Sequence, residues 1–261
     1  MSRLQGRVAI VTGGGSGNGL AIAQAFAREG AHVAIGEYSQ ERGHVAANAT
    51  PESIFVHADV RRWEDVDKLV SETVKQFGKL DVMVNNAGVL DGYATCLETS
   101  PELFDQVLAI NLRGMFFGCK RALQEMVPRG YGKIVNVASV AGLIAGGGGL
   151  AYTTSKHGAV GLTRELALEY GPAGIRTNAI CPGPISTSLR ETSREVLGAQ
   201  APDTMQRGVG TSSPERLREI VPLGMRGTAD DVANVAVFLA AAESDYVNGH
   251  TLVVDGGWVV H

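Results

Sequence analysis

Tyr152 and Lys156 stand four residues apart in Ala151-Tyr152-Thr153-Thr154-Ser155-Lys156, at the head of a run that reaches about Glu169. Residues at i and i+4 share one face of a helix. A free phenol ionises near pH 10 and is a poor base at neutrality. An ammonium held close by favours the phenolate and lowers that value by about 1–3 units. Such a pair is a general acid/base usable near pH 7. A surface cation–π contact is the plainer use of the same spacing, so the pair needs a context that gives it something to protonate.

A second constellation supplies that context. Val11-Thr12-Gly13-Gly14-Gly15-Ser16-Gly17-Asn18-Gly19-Leu20 follows one short apolar run and opens another. Glycines let the backbone approach a ligand with no Cβ in the way. The helix start that follows offers unpaired N–H groups and a partial positive charge, which suit a pyrophosphate. Glu37 comes 18 residues after Gly19, at the end of the next apolar run. A carboxylate there accepts hydrogen bonds from both adenosine ribose hydroxyls. It also repels a 2′-phosphate: at about 4 Å and an effective dielectric near 20, each unit-charge pair costs on the order of 4 kcal/mol before screening. No basic residue lies in the 13–19 turn and Arg42 sits beyond the strand end, so NAD is expected over NADP.

Stepwise alternation of short and long apolar segments frames both groups. Strands are expected at Arg7–Val11, His32–Ile35, Ser53–His57, Asp81–Asn85, Lys133–Ala138, Arg176–Ile180 and Thr251–Val254. Most are nearly continuously apolar, as strands covered on both faces are. Between them Val66, Leu69, Val70, Val74 and Phe77 follow helical spacing, as do Phe104, Val107, Leu108, Leu112, Met115 and Phe116. The pattern predicts α/β class: one doubly wound Rossmann domain over 1–261, a seven-stranded parallel sheet with helices on both faces. Asn111 falls on the second stripe, where a buried polar side chain needs partners. Residues 186–215 break the rhythm. They are polar, show no clear strand, and read as a lid or loop.

Composition removes other classes. The 261 residues carry a net charge of −4 with no block of like charge, so no nucleic-acid partner is expected. No apolar stretch approaches 18 residues, so no membrane span is expected. Cys96, Cys119 and Cys181 form neither an even framework nor a CxxC, which points to a reducing cytoplasm. The six histidines lack metal-ligand spacing, and no metal is expected. Cys119 reads as core, and Trp258 as packing or subunit contact.

Taken together, these motifs resemble the short-chain dehydrogenase/reductase family in its single-domain form, over essentially the whole chain. Thr12–Gly19 resembles that family's Thr-Gly-x-x-x-Gly-x-Gly cofactor turn, placing Gly13, Ser16, Gly17, Asn18 and Gly19 at the cofactor. Asp59 and Val60 resemble the acid and its neighbour at the adenine. Asn85-Asn86-Ala87-Gly88 resembles the segment that braces the sheet and borders the adenine ribose. Ser139, thirteen before Tyr152, matches the serine that hydrogen-bonds the substrate oxygen; Tyr152 and Lys156 match the acid/base and its lysine, which also meet the cofactor. Asn111 matches an asparagine that opens its helix and holds a water linking the lysine to solvent. Pro182, Gly183, Ile185 and Thr187 match the segment at the nicotinamide carboxamide. Asn18 stands where the family usually has Ile, and Glu37 where NAD-linked members more often have Asp.

The resemblance implies an NAD-dependent interconversion of a secondary alcohol and a ketone by a cytoplasmic enzyme. It also implies a homotetramer, with helices near 101–126 and 152–170 and the C-terminal segment in the interfaces. A 3-oxoacyl-carrier-protein-type reductase would share the motifs but favours NADPH. A non-catalytic NAD sensor would not need the Ser139–Tyr152–Lys156 set, and a scaffold would not need the glycine turn. Residues near Asp91–Tyr93, Ala141–Gly149 and 186–215 are expected to face the substrate. Arg190 or Arg194 could hold an anionic tail there or be solvated surface arginines. The Gly17–Gly19 turn and Tyr246-Val247-Asn248-Gly249 resemble members that oxidise hydroxyalkyl thioether sulfonates, although no arginine stands just before Tyr152.

Overall fold

The strand residues alternate between two cores, which fixes a sheet covered on both faces. Ala9, Val11, Val33, Ile35, Val82, Val84, Val135 and Val137 point into one apolar cluster. Their neighbours Ile10, Ala34, Met83 and Ile134 point into the other, as the two-residue period of a strand requires.

A computed structural model describes residues 2–260. Met1 and His261, the latter one of the six histidines considered for metal binding, lie outside the described residues. In chain order the elements are β1 (Val8–Thr12), α1 (Gly17–Arg28), β2 (His32–Glu37), α2 (Gln40–Asn48), β3 (Ser53–His57), α3 (Trp63–Phe77) and β4 (Val82–Asn85). Then follow α4 (Pro101–Leu108), α5 (Gly114–Met126), β5 (Gly132–Val137), α6 (Leu150–Tyr170), β6 (Ile175–Pro182), α7 (Leu189–Leu197), α8 (Pro214–Ile220), α9 (Ala229–Ala240) and β7 (Thr251–Val254). All seven expected strands are present, in one sheet of order β3-β2-β1-β4-β5-β6-β7 with every pairing parallel. The order reverses between β1 and β4. The crevice outside the strand C-termini at such a reversal is where open α/β sheets bind ligands.

α1 and α9 pack together over one face, and α3, α5 and α6 cover the other. α3 shows why its sequence folds so. Val66, Leu69, Val70 and Thr73 are buried on one stripe, Glu64 and Asp65 sit in its first turn, and Gly78 closes it in the left-handed conformation. Acids favour a helix N-terminus and glycine favours that closing geometry.

Two segments differ from the sequence expectation. The helix expected across 104–116 is interrupted by a π turn at Ala109–Arg113, with the Gly114 amide reaching back to the Ala109 carbonyl. Residues 186–215 are largely helical, holding α7, three short 3-10 turns and the start of α8. Trp258, partly buried, packs against Val209 of this segment and against Leu217 and Val221 just beyond it.

Candidate active site

A cleft of about 1200 Å³, partly open to solvent, crosses the C-terminal ends of the central strands. At the β2 end it is lined by Glu37, Tyr38, Arg42, Asp59, Val60 and Arg61. Gly13, Ser16, Gly17, Asn18, Asn86, Ala87 and Gly88 line its middle. Ser139, Tyr152, Lys156, Pro182 and Gly183 line the far end, with Ile185 and Thr187 beside them. Residues 186–215 contribute Ser188, Leu189, Thr192 and Val196. Gly19 and Asn111 do not line it.

Gly19 acts behind the wall. A Cβ there would lie 2.1 Å from the Gly13 carbonyl oxygen and 2.5 Å from Asn86 Nδ2, so only glycine lets the turn close. Asn86 ties that turn to β4, donating from Nδ2 to the Thr12 and Gly13 carbonyls at 3.0 and 3.1 Å.

The turn fits a phosphate-bearing ligand. α1 begins after Ser16 with no side-chain cap, leaving its first amides without a side-chain acceptor. Beside them Asn18 Oδ1 is buried with no hydrogen-bond partner. Such a group costs about 1–3 kcal/mol until something pairs with it. A ribose or amide donor would satisfy it, so the residues present suit a dinucleotide.

The acidic end is more occupied than its sequence suggests. Glu37 is buried; Oε2 accepts from the Gly15 amide at 3.1 Å and Oε1 from the Ser39 amide at 3.1 Å. Arg42 Nη2 reaches Oε1 at 3.4 Å, and its other nitrogen bonds Glu195 on α7. The sequence placed Arg42 near Glu37 but beyond the strand end; α2 folds back and brings it to the carboxylate. Asp59 lines the cleft, yet its carboxylate is gripped by Arg61 through Nε at 2.8 Å and Nη2 at 2.6 Å. Burial works to raise the Asp59 carboxyl, but the bonds and charge of Arg61 outweigh it and hold it low. Nothing in the local spacing marked Arg42; Arg61, two residues beyond Asp59, was the legible signal.

At the opposite end Tyr152 and Lys156 share a face of α6, both buried, with Lys156 Nζ 5.6 Å from the ring centre. Nζ donates to the Val137 carbonyl at 2.9 Å. The Ser139 hydroxyl, which lines the same end of the cleft, donates to the Pro182 carbonyl at 3.5 Å and accepts from the Ala141 amide at 3.1 Å. The expected depression of the phenol by the lysine is absent. Burial raises the Tyr152 phenol, against a smaller lowering by Ser139. Burial likewise pushes the Lys156 ammonium down to about 8. Removing charge from water outweighs a cation several ångströms away.

Asn111 is held in the π turn. Its Oδ1 accepts from the Val89 amide at 2.8 Å, and Nδ2 donates to the Val89 carbonyl at 2.9 Å and to Ser155 Oγ at 3.1 Å. It and Lys156 Nζ flank Gly88 from two sides. Of the residues expected to face substrate, Asp91 does not: it is fully buried. Among the described residues, neither Arg190 nor Arg194 lines the cleft. Arg190 is spent within its own region, donating to the Met205 carbonyl and lying 5.9 Å over the Tyr93 ring. No group of three or more candidate metal ligands occurs among the described residues. No helix of these residues is long and apolar enough to cross a membrane.

A doubly wound parallel sheet with a glycine turn at its reversal and a Ser–Tyr–Lys cluster across the cleft defines an oxidoreductase acting on CH–OH donors. The chain belongs to the short-chain dehydrogenase/reductase family. A family model described as enoyl-(acyl carrier protein) reductase matches residues 13–259. The chain is 43% identical to 2-(R)-hydroxypropyl-CoM dehydrogenase of Xanthobacter autotrophicus, over 97% of this chain and 98% of that protein. It is 34% identical to 3beta-hydroxysteroid dehydrogenase 2 of Eggerthella lenta, over 98% and 95%. The crystal structure of levodione reductase superposes with a TM-score of 0.87 at 36% identity, covering 98% of each chain.

Proposed function

We propose that the protein interconverts a secondary alcohol and a ketone with NAD(H). The observation that carries the reading is the meeting of Ser139, Tyr152 and Lys156 at one end of a cleft whose other end presents Glu37. A nicotinamide cofactor held along it would supply the hydride acceptor or donor. Gly13, Ser16, Gly17 and Asn18, with Gly19 behind them, hold the pyrophosphate. Glu37 takes the adenosine ribose; Asp59, Val60, Asn86, Ala87 and Gly88 border adenine and its ribose; Pro182, Gly183, Ile185 and Thr187 hold the nicotinamide end. Ser139 orients the substrate oxygen. Tyr152 takes the hydroxyl proton in oxidation and returns it in reduction. Lys156 binds the nicotinamide ribose, while Asn111 steadies a water path from Lys156 to solvent.

NAD is preferred because Arg42 is shared by two carboxylates, Glu37 and Glu195, which leaves that end of the cleft net negative. The relatives support the alcohol chemistry: the 43% identical protein carries the name of a hydroxypropyl dehydrogenase. Among the described residues neither Arg190, which is spent on the Met205 carbonyl, nor Arg194 lines the cleft, and Ala151 precedes Tyr152, which disfavours an anionic substrate tail held by this region. The resemblance implies a homotetramer in the cytoplasm, and Phe116 on α5 and Leu168 on α6 stand exposed where the subunit contacts would fall.

A panel of secondary alcohols and ketones with NAD(H) and NADP(H), followed by NADH or NADPH absorbance, tests the reading. Alcohol-dependent reduction of NAD is expected. Turnover only of acyl-thioester ketones with NADPH would replace it with the acyl-carrier reductase. Tight NAD binding with no turnover on any substrate would make the protein a sensor.

A further inference from the structure

Asp91 is completely buried, yet among the described residues no cation pairs with it. Backbone amides hold it instead. Its Oδ1 accepts from Gly149 at 3.0 Å and from Tyr93 at 3.2 Å, and its Oδ2 accepts from Tyr152 at 2.9 Å. Two of these amides belong to the first turn of α6, whose own N-cap, Gly149, has no side chain to cap it. Helix starts leave several amides unpaired and favour a negative charge. Here the cap comes from a loop 58 residues upstream.

The fit admits no other arrangement. A Cβ on Gly149 would lie 2.4 Å from Asp91 Oδ1 and 2.6 Å from Oδ2. The same carboxylate holds Tyr93, a non-glycine residue at φ 58, whose phenol donates to the Gly147 carbonyl at 3.2 Å. Left-handed backbone at a bulky residue persists only when its surroundings impose it. The Leu150 amide adds a bond to the Ala94 carbonyl at 3.0 Å. One carboxylate therefore joins the loop after β4 to the residue proposed to move the proton.

We infer that Asp91 is a positioning residue for the reaction, a helix cap supplied from a remote loop of the same chain that fixes the backbone of Tyr152. This rests on the reading of Tyr152 as the acid/base. The groups facing that phenol are Ser139 after β5, Cys181 on β6, Lys156 on α6, and Tyr93 and Asp91 from the loop, with Arg190 behind Tyr93. Among them Tyr93, Asp91 and Cys181 oppose formation of the phenolate; burial raises the Asp91 carboxyl itself against the lowering by its three amide bonds, and where it is ionised, removing its charge eases ionisation of the phenol.

Asp91→Asn keeps the size, removes the charge and turns an NH2 toward amide donors. Gly149→Ala displaces the carboxylate but keeps its charge. Single-turnover alcohol oxidation with saturating NAD, followed across the neutral and alkaline range, reads both effects. In Asp91→Asn the pH-independent plateau is expected to fall by about ten- to a hundredfold, the loss a small misplacement of a reacting group causes. The acid limb is expected to move to lower pH, with NADH affinity by fluorescence within about twofold of wild type. In Gly149→Ala the plateau falls without that downward movement. A plateau and limb like wild type in either folded variant overturn the proposal, even if melting temperature drops. Should Asp91→Asn fail to fold, the Gly149→Ala plateau decides. Tyr152→Phe in the same assay separates the two readings: if it turns over like wild type, the acid/base assignment fails rather than the role of Asp91.

Discussion

The ammonium of Lys156 lies 5.6 Å from the centre of the Tyr152 ring and is turned toward the Val137 carbonyl at 2.9 Å. The lysine thus bonds the backbone, and burial has brought its ionisation down to about 8. Below that pH the protein carries a cation at the nicotinamide end of the cleft; above it the group is neutral. NADH affinity, measured by fluorescence titration, is therefore expected to weaken as pH rises through about 8 in the wild type. It should stay flat in Lys156→Gln.

Tyr152 carries the proton and contributes little to cofactor binding. General acid–base catalysis by one group is worth about 10²–10⁴-fold. Tyr152→Phe is expected to lower kcat by an amount in that range while NADH affinity stays within a few-fold. Ser139→Ala should lower kcat too, because the hydroxyl proposed to orient the substrate oxygen is gone. NADH absorbance on the best alcohol of the panel, beside the fluorescence titration, distinguishes these losses from unfolding. Wild-type turnover in Tyr152→Phe would end the mechanism.

Cofactor choice rests on a carboxylate with a guanidinium already beside it. Glu37→Ala removes the repulsion and frees Arg42 to meet a 2′-phosphate. After screening, part of the roughly 4 kcal/mol per charge pair should appear as a ten- to hundredfold rise in the NADP-to-NAD ratio of kcat/KM. Arg42→Ala should push the ratio the other way. Steady-state rates with both cofactors give the ratio directly; no change in Glu37→Ala would mean that selection lies elsewhere.

Arg42 also joins the cofactor end of the cleft to α7 through Glu195. Glu195 is about half exposed, so the pair is screened and weak on its own. Its position matters more than its strength, because α7 contributes Leu189, Thr192 and Val196 to the wall. Glu195→Gln is expected to speed NADH release a few-fold in stopped-flow displacement. High salt should produce the same acceleration in the wild type and little further change in the variant.

The sheet was legible because strands buried on both faces announce themselves as apolar runs. Only their ends moved: β2 runs two residues past Ile35, since Gly36 and Glu37, poor strand formers, still pair with Val56 and His57 of β3. α7 was hidden by one residue. Ser193 occupies the buried stripe between Leu189 and Leu197 and spends its hydroxyl on the Leu90 amide, so the apolar period looks broken. The π turn at 109–113 was invisible because an inserted residue leaves the flanking pattern at 3–4 spacing. The chemistry-bearing types in the cleft were readable from short motifs. The bonding of Asp91 and Arg42 was not, because it involves backbone amides and side chains remote in sequence.

Far from the cleft, Asp81 offers a test of what holds the sheet. It is fully buried just before β4, with Oδ1 accepting from Arg129 at 2.6 Å and Oδ2 taking Lys79 at 2.8 Å and the Val8 amide at 3.0 Å. Burial alone would raise its carboxyl, but the hydrogen bonds and charges of Lys79 and Arg129 outweigh it and leave it below its ordinary value. A carboxyl lowered by folding stabilises the protein fully above its unfolded value of about 4, and that contribution drains away as pH falls through the lower folded value. Asp81→Asn is therefore expected to cost about 3 kcal/mol at neutral pH. That is the low end for breaking a buried pair, because both cations remain partly solvated. Urea unfolding at neutral pH and again near pH 3 should show the gap between wild type and variant narrowing on acidification. A gap that held constant between the two would mean that Asp81 acts through packing alone and that its charge contributes nothing.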